Sequence, residues 1–263
     1  MSFETMSMEH EHEAFEKEKS WKDQDAMIQQ ILQEGMQAYV TELEDAEQAF
    51  ETSEHTLCCI DEGVPAGDMR SAGSGILLVG ADRAAFIEEL KKAGVKEVTS
   101  HVGCGAAALY REQRGLTDQT VDDVAMEGAR RMAEELGVPY KGHINQLRRP
   151  KEFHHARVVY VDGTGVFNPD SVKGLPQGFV VSEAYMTSTQ AASEVGLAAS
   201  IALGDHGFGK KFTNESPLLV VLVGDEFSDE LVGELQKTLR DKPIKMEVWK
   251  RPVKQEVELP KAA

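Results

Sequence analysis

Past residue 56 the chain alternates short apolar runs with stretches of helical periodicity, the pattern of strands separated by packing helices. Apolar runs at 57–61, 75–80, 97–101, 156–162, 178–182, 218–224 and 244–249 predict strands. Between them, Asp82 is placed to cap a helix that reaches Lys92 and stops at Gly94. A longer helix over 117–136 turns Val121, Val124, Met132 and Leu136 inward, with Gly137 after it. The stretch 189–203 is a helix of small residues (Ala191, Ala192, Gly196, Ala198, Ala199) suited to close packing, and Ser228 caps a last helix carrying Leu231, Leu235 and Leu239. This order predicts an α/β fold with a central, mostly parallel sheet flanked by helices.

The first fifty residues follow another rule. Ile28, Leu32, Met36, Tyr39, Leu43, Ala46 and Phe50 recur at steps of three and four, one apolar stripe that needs a partner surface. That surface lies either on its own domain or on a neighbouring subunit. Residues 1–20 are polar and rich in Met and Glu, frayed or loosely helical. The expected organisation is an N-terminal helical arm over 1–54 and an α/β domain over 55–263, in which 170–263 is an extension of undefined organisation. Two stretches echo each other, 57–63 and 158–163, each a strand ending in an acidic turn, as an internal duplication would leave.

Charge sharpens the division. The formal net charge is -17, and residues 1–56 hold fifteen Asp or Glu against three Lys. The acidity belongs to the arm, as a solvated helix face, and the clustered Lys and Arg of a nucleic-acid surface are missing. No apolar run approaches the roughly 18 residues of a membrane span, and the N-terminus lacks the basic start and apolar stretch of a signal peptide. Three cysteines, of which Cys58 and Cys59 are adjacent, make no disulfide framework, so a reducing cytoplasm is the expected compartment.

Candidate chemistry gathers at two strand ends. In an extended strand Leu57, Cys59 and Asp61 share one side, and His101 and Cys104 stand three apart across a Gly turn. Carboxyl ends of parallel strands line the natural ligand crevice. Two thiolates and one imidazole form a three-ligand set of catalytic zinc type, with a fourth position free for water; soft sulfur ligands favour zinc over magnesium or calcium. Each cysteine alone reads as core, and Cys58 keeps that reading. His10 and His12 fall in the solvated acidic segment, the pair His154-His155 reads as a turn before a strand, and the glycine-rich stretch 204–209 as a helix stop. No phosphate-binding loop, dinucleotide fingerprint or Gly-x-Ser-x-Gly elbow is present.

Cys59-x-Asp61 followed some forty residues later by His101-x-x-Cys104-Gly105 resembles the β-class carbonic anhydrases, as does Gly67-Asp68-Met-Arg70-Ser-Ala72-Gly73 in shortened form. The resemblance covers roughly residues 30–165. It implies Cys59, His101 and Cys104 as zinc ligands and Asp61 as the carboxylate that orients a zinc-bound water or occupies the fourth site itself. It implies reversible hydration of carbon dioxide to bicarbonate, or attack on carbonyl sulfide or carbon disulfide. It also implies a homodimer or multiple of dimers, in which N-terminal helices embrace the neighbour. One departure matters: the family's Arg two residues after the Asp is Gly63 here, which leaves Arg70 as the candidate to hold Asp61 in its ionised form. Without a partner, Asp61 would close the site. The rival expectations are a non-catalytic, zinc-stabilised binding or assembly protein on the same fold, and a thiol enzyme using Cys59 or Cys104 as nucleophile.

Overall fold

The computed structural model describes residues 3–65 and 67–251. Its eight strands form two four-stranded, all-parallel sheets flanked by helices. The first sheet holds β1 (Thr56–Cys58), β2 (Met69–Arg70), β3 (Glu97–His101) and β4 (Tyr140–Ile144) in the order β2-β1-β3-β4. The second holds β5 (Val158–Asp162), β6 (Gly178–Val181), β7 (Leu218–Val223) and β8 (Ile244–Trp249) in the order β6-β5-β7-β8. The predicted α/β class with parallel sheet stands, with the sheet divided in two. Parallel strands covered on both faces read as continuous apolar runs, and every residue of β5, β6 and β7 is buried. Three of the second sheet's four strands lie within 170–263, and residues 252–263 fall outside the described part.

The apolar run at 75–80 is not a strand. Gly73, Ser74, Gly75 and Gly80 all have positive φ, which no strand accommodates. The run is a turn that drops Ile76 and Leu78 into the core before α3 (Gly80–Lys92). Gly128 of α5 (Val121–Leu136) seats Ile76, since a Cβ there would lie 2.5 Å from Ile76 Cδ1. Helix α5 starts later than its periodicity suggested because Thr120 and Asp123 form a reciprocal capping box. A further helix, α4 (Gly105–Arg114), follows Cys104 directly and ends at Gly115 in the left-handed region.

The arm is helical from the first described residue. Helix α1 (Phe3–Glu34) breaks at Gly35 (φ 86), and α2 (Met36–Thr41) and a 3-10 turn (Ala46–Phe50) follow. Ile28, Met36, Tyr39, Ala46 and Phe50 bury on this chain's own second sheet, against Val158, Tyr160, Val221 and Trp249. The larger of these, Ile28, Met36 and Phe50, each contribute about 1.5–3 kcal/mol when removed from water. The small-residue helix is α6 (Ser188–Leu203), capped by Thr187. Its Gly196 meets Thr238 of α7 (Asp229–Thr238), where a Cβ would stand 2.6 Å from the Thr methyl, so close packing is what the small residues permit. No helix among the described residues is long and apolar enough to cross a membrane.

The two sheets meet along their β2 and β6 edges. Ser182 N donates to Arg70 O (2.9 Å), Arg70 N donates to Ser182 Oγ (2.9 Å), and Val180 N donates to Ile60 O (3.1 Å). This seam runs beside the carboxyl end of β1, where the candidate ligands begin.

Candidate metal centre

Strand β1 ends at Cys58, so Cys59 is the first residue released from the ladder, and β3 on the neighbouring rung ends at His101. Gly103, at φ +66, turns the chain so that Cys104 stands at the N-cap of α4. Three ligand atoms, from Cys59, His101 and Cys104, lie within 4.8 Å of one another, and all three residues are at most 5% exposed. The two sulfurs are 3.9 Å apart. That is near the ~3.8 Å that two 2.3 Å Zn–S bonds at a tetrahedral angle demand, and nearly twice a disulfide bond.

The second layer fits the same reading. His101 Nδ1 lies 3.0 Å from Val102 O, which fixes its proton there, and Nε2 is buried with no hydrogen-bond partner. A buried imidazole nitrogen without a partner is costly, and a metal ion that displaces its proton would satisfy it. Gly73 N–H donates to Cys59 Sγ (3.3 Å), supporting a thiolate. The hydrogen bond from Cys104 holds the Cys59 thiol well below its ordinary range, aided by His101, while the Cys104 thiol rises. Burial draws His101 down, but Cys59 and Asp61 outweigh it and carry its pKa up to about 9. These residues could hold a metal ion. Cys58 is core, as expected, its thiol pushed up to about 12 by burial.

Asp61 stands next to this set with its carboxylate already engaged. Arg149 grips it through Nε (2.9 and 3.2 Å) and Nη2 (2.9 Å), and Gly63 N–H adds a bond of 2.8 Å. Burial works against the charge, but His101 and Arg149 prevail and hold the carboxyl below its ordinary range. The ion pair expected of Arg70 is therefore made by Arg149. Arg70 donates instead to the carbonyls of Gly67, Cys59, Asp61 and Val64, fixing the backbone that carries the site.

Gly63 explains the exchange. A Cβ there would lie 2.5 Å from Arg149 Cγ and 3.1 Å from Asp61 Oδ1, so the space left by the missing side chain is filled by Arg149. Gly63→Ala is expected to displace Arg149 and cost about 1–3 kcal/mol, read as a lower Tm; an unchanged Tm would refute the packing argument. Glu62, His154 and His155 extend the network. His154 Nδ1 is 2.9 Å from Glu62 Oε2 and 3.9 Å from Asp61 Oδ2, and His155 N donates to Glu62 Oε1. Asp61, Glu62 and His154 thus form a second close group, whose oxygens already serve Arg149 and the two histidines. His12 is exposed, the side chain of His10 lies outside the described ones, and 204–209 is a helix end and turn.

Sequence reasoning missed Arg149 and Glu62. The one available signal was Gly63 itself, since a carboxylate without its neighbouring Arg requires a cation from elsewhere.

No protein-family model, no curated protein and no solved structure matches this chain. The site rests on its own geometry: a Cys-His-Cys cluster able to hold a metal, compatible with a β-carbonic-anhydrase-like centre.

Proposed function

We propose that the chain binds zinc at Cys59, His101 and Cys104 and catalyses the reversible hydration of carbon dioxide, or attack of water on a similar linear molecule such as carbonyl sulfide or carbon disulfide. The observation that carries this reading is the three-ligand set beside a carboxylate held in a bidentate grip by Arg149. Two thiolates and an imidazole favour zinc over harder cations. When bound, zinc supplies a Lewis acid that lowers the pKa of a coordinated water to about 7. The chain's own part is to orient and to exclude. Asp61, kept ionised by Arg149, accepts a hydrogen bond from the reacting water and so directs the oxygen lone pair at carbon. A C–O bond forms, one C=O π bond opens, and the proton leaves to solvent or buffer.

Asp61→Asn is expected to keep the metal while lowering the hydration rate by about 10²-fold or more, measured by stopped-flow pH change. Undiminished hydration by that variant would remove Asp61 from the mechanism. A second reading is favoured by the burial of every ligand: a closed, structural zinc in a non-catalytic binding or assembly protein. Under it, zinc is present, hydration is absent, and chelation lowers Tm.

Both readings share a pH dependence. In the metal-free site near neutrality Cys59 carries the negative charge, while His101 (pKa about 9) and Cys104 (raised) keep their protons. Metal binding must displace both protons. Affinity is therefore expected to climb roughly a hundredfold per pH unit between about 7 and 9, measured by chelator competition. A flat profile would contradict this protonation pattern.

A further inference from the structure

The two sheets share one topology. Taking the strands in chain order, each sheet is arranged second-first-third-fourth, all parallel. In each, a helix links the second strand to the third (α3 in one, α6 in the other), and a capped helix precedes the fourth (α5 and α7). The register extends the match to single residues. Leu57 pairs with Met69 and Val98; Val158 pairs with Gly178 and Leu219. Four residues beyond each central residue stands a buried Asp, and each Asp Oδ1 accepts the backbone N–H two residues on, at 2.8 Å in both cases: Gly63 to Asp61 and Thr164 to Asp162. Five residues beyond Val98 and Leu219 stand Gly103 and Gly224, both at positive φ.

The same register shows what differs. Cys59, His101 and Cys104 correspond to Tyr160, Leu222 and Asp225, a phenol, an alkyl chain and an exposed carboxylate. Those residues make no metal site. Tyr160 is instead bonded to Pro176 O, and Asp162 serves its own turn through Thr164, Gly165 and Phe167. The units meet through equivalent edge strands, β2 and β6, as a two-fold pair requires. The arm that precedes the first unit buries its stripe on the second.

We propose that the chain is a tandem duplication folded as its own two-fold pair, and that its second unit, having lost the ligand set, serves the metal centre of the first. The dimer implied by the family resemblance is thereby built within one chain. The direct service comes from Glu194 on α6, only 5% exposed, which accepts from Ser71 Oγ (2.6 Å) and Ala72 N (2.8 Å). That holds the turn whose next residue, Gly73, donates to Cys59 Sγ. Glu194 is a positioning residue: it acts through the turn on the thiolate. It also lines a cleft of about 510 Å³ between the start of α3, α4 and α6, at the seam of the two units.

This inference rests on the metal reading, and a titration with Co²⁺ separates the two. Metal-free full-length protein, under reducing conditions, is titrated while the thiolate-to-cobalt charge-transfer and d–d absorption is recorded. The expected result is one equivalent in the wild type and none in His101→Ala. Glu194→Ala is expected to bind one equivalent about 10–100-fold more weakly, with an altered spectrum. Glu194→Gln is expected to stay near the wild type, because its amide oxygen takes the Ala72 N–H and Ser71 Oγ turns to accept. A second equivalent that survives in both His101→Ala and His154→Ala, and so belongs to neither close group of the first unit, would overturn the loss of the second site. An unchanged Glu194→Ala, or a Glu194→Gln as weak as Glu194→Ala, would overturn the positioning role. No cobalt in the wild type would instead sink the metal reading.

Discussion

Replacing Arg149 with Ala is expected to destabilise the protein by about 3–5 kcal/mol at neutral pH, because it strands a buried carboxylate. Arg149 and Asp61 are 5% and 4% exposed in their side chains, so the carboxylate loses its main partner where solvent reaches it poorly. The size of the effect comes from the orphaned charge, not from the net worth of the pair. The pH dependence follows from the sign of the Asp61 shift. Its folded-state pKa lies below the ordinary 3.8, so its contribution is present above about pH 4 and is lost as pH falls through the folded value. Without Arg149 the burial penalty faces less opposition, and protonation ceases to cost as much. The gap between wild type and variant should therefore be widest near pH 7 and shrink below about pH 4, as read by denaturant unfolding at several pH values. A loss under about 1 kcal/mol at pH 7 would show that Arg149 does not carry Asp61.

The other large effect belongs to the ligands. His101→Ala and Cys104→Ser each remove one of three donors. Structural zinc sites are worth about 10–16 kcal/mol with the ligand set acting together, so removing one of only three donors is expected to cost more affinity than the roughly 10–100-fold of an outer contact. Both variants are expected to lose metal during purification, and with it hydration activity and any metal-dependent rise in Tm. Cys58→Ser is the informative contrast. Its sulfur adjoins Cys59 in sequence but belongs to the core, so the variant should lose stability and keep its metal. Metal loss from Cys58→Ser with retention in Cys104→Ser would reverse the assignment.

What was legible in the sequence follows burial. Strands β5, β6 and β7 are covered on both faces and announce themselves as near-continuous apolar runs, Val-Val-Tyr-Val, Phe-Val-Val and Leu-Leu-Val-Val-Leu-Val. Strand β4, Tyr-Lys-Gly-His-Ile at the sheet edge, has a half-exposed, mixed pattern, and β2 is only two residues long, so neither produces a signal. The run after Gly75 is as apolar as a strand, but its glycines bend it into a turn. Cys59, His101 and Cys104 were legible because their spacing places them at two adjacent strand ends. Arg149 was not, since it reaches Asp61 from 88 residues away and nothing local marks it among the arginines. The duplication left one faint echo in sequence, at the two central strands, because sheet order and register persist after side chains have changed. The arm's stripe was clear, but whether it covered this chain or another depended on a second sheet that periodicity does not reveal.

In the proposed centre Cys59, His101 and Cys104 hold a metal, which native mass spectrometry with elemental analysis can decide on protein purified without a metal-affinity tag. One zinc per chain is expected in the wild type and none in Cys104→Ser. A wild-type protein that takes up no metal, even when zinc is offered under reducing conditions, would contradict this and return the three residues to the core.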